Sequence, residues 1–291
     1  MTAVEAAIIG AGPAGIAAAI QLKRFGFEPL LLEKDTVGGL LRNANLVENY
    51  PGFPNGISGP DLVKLFARQL DVTGVAVNCE NVECVSADAC GGYEIQTDSR
   101  VVSARLLVVA SGTKPKVMTQ PCVPETLCDR VLAEVYPLFD VAGKQIAIIG
   151  GGDAAFDYAL NLARNNSVTI INRSGSVKCL PLLWSRCECC ESIRYMADTS
   201  AVEISECGGR IRIECSGQQD AGFIDVDYLL TAIGREPQLD FLPGELKQAN
   251  VHDSLYMIGD AANGSFRQVS IAVGDGVRAA MDIYRRSRKT I

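Results

Sequence analysis

The chain alternates short apolar runs of strand length with amphipathic stretches of helix length. Residues 6–9 predict a buried strand, residues 16–22 a helix and residues 29–32 a second strand. This strand–helix–strand order is typical of a parallel sheet covered by helices. Further strands are predicted at 76–85, 93–97, 101–102, 106–110, 144–149, 168–171, 228–233 and 254–258, a hairpin-rich region at 201–230, and further helices at 58–74, 155–163, after Pro181 and at 270–286.

A glycine-rich turn joins the first strand to the first helix. Gly10, Gly12 and Gly15 have the spacing GxGxxG, which permits a tight turn, close approach of a pyrophosphate and close helix–strand packing. The helix N-terminus adds N–H groups and partial positive charge. Glu33 ends the second strand 18 residues after Gly15, where a carboxylate can accept hydrogen bonds from a ribose. These features predict a dinucleotide site; the alternative is a glycine-rich turn of another α/β domain.

The same pattern recurs 140 residues later as GxGxxA, at Gly150, Gly152 and Ala155. A predicted helix and strand follow it, as they follow the first turn. Two nucleotide-type units in one chain are therefore expected.

The second unit lacks an acid at the end of its second strand. Asn172, Arg173 and Ser174 stand there, and Lys178 is nearby. An arginine at this position suits a 2′-phosphate, which favours NADP over NAD. The alternative is that Arg173 is only a surface charge.

Composition narrows the class of protein. The chain has 291 residues, 48% hydrophobic and 21% charged, which suits two globular domains. Its net charge of −7 indicates no attraction to nucleic acid or anionic membranes. No apolar run approaches the roughly 18–20 residues of a membrane span, and no basic segment precedes the first apolar run. We therefore expect a cytoplasmic protein without a signal peptide.

Short motifs follow one another along the chain in a recognisable order: the glycine turn at 10–15, ENYPGF at 48–53, SGT at 111–113, IGREP at 233–237, Gly259-Asp260, RQV at 267–269 and GDG at 274–276. Together they resemble the low-molecular-weight thioredoxin reductase family of flavoproteins. The resemblance implies an α/β fold of two Rossmann-like three-layer (ββα) nucleotide-binding domains, the second inserted in the first. It implies an FAD domain at 1–115 and 233–291, a second nucleotide domain at 116–232, and a homodimer.

The resemblance also implies the ligand contacts. Asp260 matches a carboxylate that bonds the ribityl chain of the flavin, and such charge-assisted bonds are selective. The expected FAD positions are Gly10, Gly12, Pro13, Ala14, Gly15, Glu33, Lys34, Gly39, Leu40, Asn49, Val82, Ser111, Gly112, Thr113, Gly259, Asp260, Arg267, Gln268 and Val269. The expected positions of the second site, for NADPH or a second FAD, are Gly150, Gly152, Asp153, Ala154, Ala155, Asn172, Arg173 and Ser174.

The redox dithiol of the family is missing from its usual place. Counting back from Gly150, the matching residues 133–136 read Ala-Glu-Val-Tyr. A relocated pair, Cys187 and Cys190, is predicted instead, because cysteines three apart can share one helical turn. Nearby Arg186 would lower a thiol pKa, whereas a helix C-terminus would oppose the thiolate. The alternatives are a metal or iron–sulphur site that includes Cys179 and Cys189, or incidental cysteines.

The predicted function is flavin-dependent disulphide oxidoreduction. FAD would carry electrons from NADPH, a ferredoxin or a second flavin to a dithiol or disulphide, with a thioredoxin-like or ferredoxin-like partner. One alternative is a ferredoxin–NADP reductase of the thioredoxin-reductase-like type, which also lacks the dithiol. Another is a flavin-binding sensor or scaffold without turnover.

Overall fold

The computed structural model describes residues 2–88, 91–217, 222–247 and 254–288. His252, which the sequence places in a polar loop, lies outside the described residues, and so does Cys90. The described helices are α1 (Pro13–Arg24), α2 (Gly59–Thr73), α3 (Asp153–Leu162), α4 (Pro181–Glu188) and α5 (Val269–Ser287). The described strands are β1 (Thr2–Ile9), β2 (Leu30–Glu33), β3 (Val77–Cys79), β4 (Val82–Ala87), β5 (Tyr93–Thr97), β6 (Val101–Val109), β7 (Thr113–Pro115), β8 (Val131–Leu132), β9 (Gln145–Ile149), β10 (Ser167–Ile171), β11 (Ile193–Met196), β12 (Thr199–Cys207), β13 (Arg210–Gly217), β14 (Gly222–Val226), β15 (Tyr228–Thr231), β16 (Arg235–Pro237) and β17 (Leu255–Met257).

The chain forms two compact units. Unit 1 comprises Met1–Arg42, Val47–Lys114 and Glu236–Ile291, and unit 2 comprises Asn43–Leu46 and Pro115–Arg235. The second unit is thus an insertion in the first, and each has an α/β architecture. The α/β fold class is confirmed. Residues 43–46, which the expected boundaries place in the first domain, group with unit 2.

Unit 1 is built on one mixed sheet. β3, β2, β1, β6 and β17 run parallel, and β5 and β4 extend the sheet antiparallel from β6. Ala7 and Ile9 face one side of β1 and pack in a core with Val85 and Tyr93 of the antiparallel strands. Ile8 points to the opposite side, where it is fully buried on the same face as α1. The unit therefore has three layers.

Unit 2 repeats this plan around a parallel sheet in the order β11-β10-β9-β15-β8. Ile148 and Ile170 pack on one face with residues of α3 and α4. Ala147 and Ile171 pack on the other face with the antiparallel strands β12, β13 and β14. Adjacent residues of one strand thus fill two different cores, as the pleat requires.

Register places both glycine turns at the carboxyl ends of parallel strands. In unit 1, Ile9 pairs with Leu32 and with Val109, so three strands end together. In unit 2, Ile149 pairs with Ile171, and Ile171 pairs with Met196. Ligands of open α/β sheets bind outside such strand ends.

Three predicted strands differ in the structure. The run 76–85 is not one strand but β3 and β4, separated at Glu80 and Asn81, where the chain leaves the parallel neighbour β2 for the antiparallel neighbour β5. The runs 101–102 and 106–110 are one continuous strand, β6. Polar Ser103 and Arg105 interrupt the apolar run but keep the period-2 alternation of a strand.

Candidate nucleotide-binding and redox sites

The first glycine turn is closed by contacts that only glycine permits. A methyl group on Gly15 would lie 1.9 Å from the Gly10 carbonyl oxygen, and one on Gly10 would lie 2.5 Å from that of Ala110. Gly10 also has φ 103°, which L side chains rarely adopt. The sequence therefore forces a tight strand–helix turn here.

Gly12, the middle glycine, faces open space. It is the N-cap of α1, no side chain caps the helix, and a methyl group there would meet no atom within 4 Å. Pro13 starts the helix, and Ala14 and Gly15 are buried in its first turn. The residues thus fit a pyrophosphate that approaches the Gly12 backbone and the helix N-terminus.

Glu33 lies beside this turn, as the sequence predicts. Its carboxylate accepts hydrogen bonds from the N–H groups of Ala11, at 2.7 Å, and Asp35, at 3.1 Å. An ionised carboxylate has further lone pairs, so ribose hydroxyls can bind it at the same time. Gly39 also belongs here, since a methyl group on it would lie 3.4 Å from Gly12 Cα.

The second half of the expected FAD site comes from the C-terminal part of unit 1. A methyl group on Gly259 would lie 2.8 Å from Ala14 Cβ, which places the Gly259-Asp260 turn against the start of α1. Asn49 donates to the Gln268 side chain at 2.7 Å, at the uncapped N-terminus of α5. These distant segments therefore meet around one edge of the sheet.

Sequence reasoning did not assign a role to Asp275. This carboxyl group is buried on α5 and accepts hydrogen bonds from the Gly259 N–H, at 3.2 Å, and from Asn263. It fixes the turn that carries Asp260. The sequence feature that could have indicated this role is the GDG motif at 274–276. In this motif, Gly276 lets α5 pack closely against α1.

The remaining expected FAD positions range from buried to exposed. Val82 is in the core with Ile9 and Leu32. The Ser111 hydroxyl donates to the Gln238 carbonyl at 2.6 Å, so it holds the fold together. Lys34 is exposed, Leu40 and Arg267 are half-buried, Thr113 is buried, Gly112 has φ 66°, and Val269 is the first residue of α5.

The second glycine turn has the same open middle position. Gly152 is the uncapped N-cap of α3, and a methyl group there would meet no atom within 4 Å. A methyl group on Gly150 would lie 2.5 Å from the Ala232 carbonyl oxygen. Asp153, exposed in the first turn, accepts from the Leu180 N–H at 2.8 Å, and Ala154 and Ala155 follow it. These residues fit a nucleotide pyrophosphate as the first turn does.

Asn172 has a structural role. Its side chain is buried, donates to the Tyr195 hydroxyl at 2.8 Å and accepts from the Ser174 N–H at 3.1 Å. It also packs on Gly151, where a methyl group would lie 2.6 Å from its amide. The side chain is therefore buried and bonded within the protein, whereas the two basic residues of this loop, Arg173 and Lys178, are exposed.

Cys187 and Cys190 lie close together but in unequal environments. Cys187, in the last turn of α4, is 5% exposed, and its Sγ lies 3.7 Å from the Phe156 carbonyl oxygen. Burial, with the neighbouring Cys179, raises the pKa of Cys187 to about 12. Cys190 is half-buried, and its N–H donates to the Cys187 carbonyl. Burial thus outweighs the expected effect of Arg186, and Cys187 is a thiol at neutral pH.

The described residues give the metal interpretation no support. Within them, no three His, Cys, Asp or Glu side chains lie together as a metal ion requires. In the same residues, no helix is both long and apolar enough to cross a membrane.

Comparison with known proteins decides the family. The family model for pyridine nucleotide-disulphide oxidoreductases matches residues 4–276. The chain belongs to this family. It is 30% identical to thioredoxin reductase 2 of Arabidopsis thaliana over 94% of its own length and 80% of that protein's. It is also 30% identical to the bifunctional thioredoxin reductase/thioredoxin of Mycobacterium leprae, over 97% of this chain but only 65% of that one. Thioredoxin reductase from T. acidophilum superposes with a TM-score of 0.87 at 26% identity, covering 99% of both chains.

The chain is therefore a thioredoxin-reductase-like oxidoreductase, and the family implies FAD and NADPH as cofactors. In the segment that matches the family dithiol, Ala133 and Tyr136 stand at the two cysteine positions, with Glu134 between them. Glu134 pairs with Arg235 at 3.3 Å and accepts from Asn43 at 3.0 Å. Asn43 also accepts from the Tyr136 N–H at 3.1 Å. No sulphur is present in this segment, so an electron path through it would need another group.

Asp157, on the helix that starts at the second glycine turn, predicts a pH effect on stability. Its carboxylate accepts from the Asn45 N–H at 2.9 Å, and Arg164 donates to the Asn45 side chain. Burial raises the pKa of Asp157 from 3.8 to about 6, against the effects of Asn45 and Arg164. Between these values the folded chain keeps a proton that the unfolded chain has lost. Stability therefore falls as pH rises through this window, by about 3 kcal/mol in total.

The variant Asp157→Asn removes this penalty. We expect it to melt within about 1 °C of the wild type at pH 4 and roughly 5 °C higher at pH 7.5, measured by thermal unfolding. Glu203→Gln, which neutralises an exposed carboxylate on β12, is the control. An equal difference between Asp157→Asn and wild type at both pH values would contradict the assignment.

Proposed function

We propose that this protein reduces disulphides with FAD bound in unit 1 and a pyridine nucleotide bound in unit 2. The observation that carries the proposal is the pair of uncapped helix N-termini, at Gly12 and Gly152, each at the carboxyl ends of parallel strands. Bound FAD supplies two-electron chemistry between the nucleotide and a thiol. Asp260, the Asn49–Gln268 pair and the uncapped α5 favour FAD over NAD in unit 1.

The proposed redox pair is Cys187 and Cys190. Cys190 is the more exposed, so it is assigned the attack on a substrate disulphide; buried Cys187 then displaces the substrate thiol. One substrate disulphide is reduced to two thiols, and the two protein thiols become one disulphide. Two electrons and two protons, delivered through the flavin, restore them.

The natural substrate is proposed to be a thioredoxin-like protein. The support is that Arabidopsis thaliana thioredoxin reductase 2 and the other relatives carry this activity in their names. A homodimer in the cytoplasm is proposed from membership of the family. NADPH is the proposed donor, and a ferredoxin-like donor or a second FAD in unit 2 is the outcome to expect if no pyridine nucleotide reduces the flavin.

The double variant Cys187→Ser/Cys190→Ser tests the redox pair. We expect at least a 100-fold loss of nucleotide-dependent reduction of a thioredoxin-like disulphide, with flavin content and nucleotide-driven flavin bleaching unchanged. The single variant Cys189→Ser, which alters the exposed cysteine between them, should keep wild-type turnover. Full turnover by the double variant would show that the flavin passes electrons to the substrate without these thiols.

A further inference from the structure

The loop between β10 and α4, residues 172–180, contains no acidic residue, but the carboxylate of Asp198 lies against it. We propose that Asp198 weakens the binding of a 2′-phosphate at the nucleotide site of unit 2, so that NADH binds about as well as NADPH. This inference rests on the proposed pyridine nucleotide site and names its specificity-determining residue.

The sheet brings Asp198 to this loop. β11 runs parallel to β10, and Ile171 pairs with Met196, so the residues that follow both strands emerge at the same edge. The Thr199 N–H donates to the Asn172 carbonyl at 3.0 Å, which fastens the two segments together. The turn that follows β11 thus supplies the acid that is missing at the end of β10.

The carboxylate of Asp198 lies directly against the centre of the loop. A methyl group on Gly175 would lie 2.7 Å from one of its oxygens and 2.8 Å from the other. Ser174 and Ser176 flank this point, with their hydroxyl oxygens 2.9 Å apart. Asp198 itself has φ 48°, a left-handed conformation that Asp and Asn tolerate better than most residues. The negative charge of Asp198 therefore lies beside Gly175.

The charge at this position opposes a second negative group. A loop that follows the second strand of a dinucleotide fold is where the ribose 2′ substituent binds. An acid there accepts a hydrogen bond from a 2′-hydroxyl and repels a 2′-phosphate, which carries between one and two negative charges. Arg173 and Lys178 attract the phosphate, so Asp198 reduces a preference that these two residues alone would create.

The binding of two adenine nucleotides measures the effect of Asp198 on a 2′-phosphate without any catalytic turnover. The probes are adenosine 2′,5′-bisphosphate and AMP, titrated calorimetrically into the purified protein. The wild type should bind both within about threefold. Asp198→Asn keeps the shape and tolerates the same φ, and it should bind the bisphosphate at least about fivefold more tightly, with AMP affinity within about twofold. Glu203→Gln removes an exposed charge elsewhere in unit 2 and should change neither affinity by more than about twofold.

The outcomes separate the inference from the function on which it rests. An unchanged ratio of affinities in Asp198→Asn would overturn the role of Asp198 and leave the nucleotide site standing. A wild type that prefers the bisphosphate by more than about tenfold would also overturn it. Failure of both probes to bind either folded protein would overturn the pyridine nucleotide site itself, and the role of Asp198 with it.

Discussion

Replacing Gly12 with aspartate should remove FAD and leave unit 1 folded. Gly12 has φ −77°, which any residue can adopt, and a side chain at this position would point into open space. An aspartate is moreover a preferred N-cap residue, so it should satisfy N–H groups of α1 that no side chain now caps. The same carboxylate would occupy the position where the pyrophosphate binds and would repel its negative charge. We expect FAD affinity to fall at least about 100-fold, the loss of a few charge-assisted hydrogen bonds.

The measurement is flavin content after purification, from visible absorbance, together with the melting temperature of the FAD-free protein. Gly244→Asp is a matched control, because this exposed glycine of unit 1 also has no neighbour within 4 Å of an added methyl group. It should retain one flavin per chain. Gly15→Ala, by contrast, should fail to fold, since its methyl group would lie 1.9 Å from the Gly10 carbonyl oxygen. A yellow Gly12→Asp protein with full flavin content would contradict the FAD site.

Gly152→Asp should have an equally large effect on the second site. Gly152 has φ −104° and an open side-chain position at the uncapped N-terminus of α3, so aspartate fits the fold. It would place a second carboxylate beside Asp153, where the pyrophosphate is proposed to bind. We expect nucleotide affinity to fall at least about 100-fold, with flavin content unchanged.

The control for Gly152→Asp is Gly244→Asp, which should bind nucleotide as the wild type does. Gly151→Ala should destabilise unit 2, because its methyl group would lie 2.6 Å from the Asn172 amide. Calorimetric titration with NADH and NADPH measures both effects. Wild-type affinity in Gly152→Asp would place the nucleotide elsewhere.

The glycine turns could be predicted from sequence because the residues that determine them are close together in the chain. A strand, a turn that only glycine permits and a helix N-terminus follow one another within about a dozen residues, and Glu33 follows at a fixed distance. The fold class follows from the same alternation of strands and helices. Local signals of this kind also predicted α2, which begins after the N-cap Ser58 and ends at the left-handed Gly74.

Features that depend on packing between distant parts of the chain could not be predicted from the sequence. The acid proposed for the second site, Asp198, lies in the turn after β11, so a search for it at the end of β10 finds only Asn172 and Arg173. The burial of Cys187 depends on α3 packing against α4, which a CxxC spacing does not indicate. Residues 43–46 belong to unit 2 because Asn43 and Asn45 bond to Glu134 and Asp157, which follow them by about a hundred residues.

Anaerobic reduction of the bound flavin tests the central claim most directly. Purified wild type and Gly152→Asp are titrated with NADH and NADPH, and then with a thioredoxin-like disulphide, while the visible flavin absorbance is followed. The account predicts that nucleotide bleaches the wild type but not Gly152→Asp, and that the disulphide restores the colour. A wild-type flavin that dithionite bleaches and neither nucleotide reduces would contradict it.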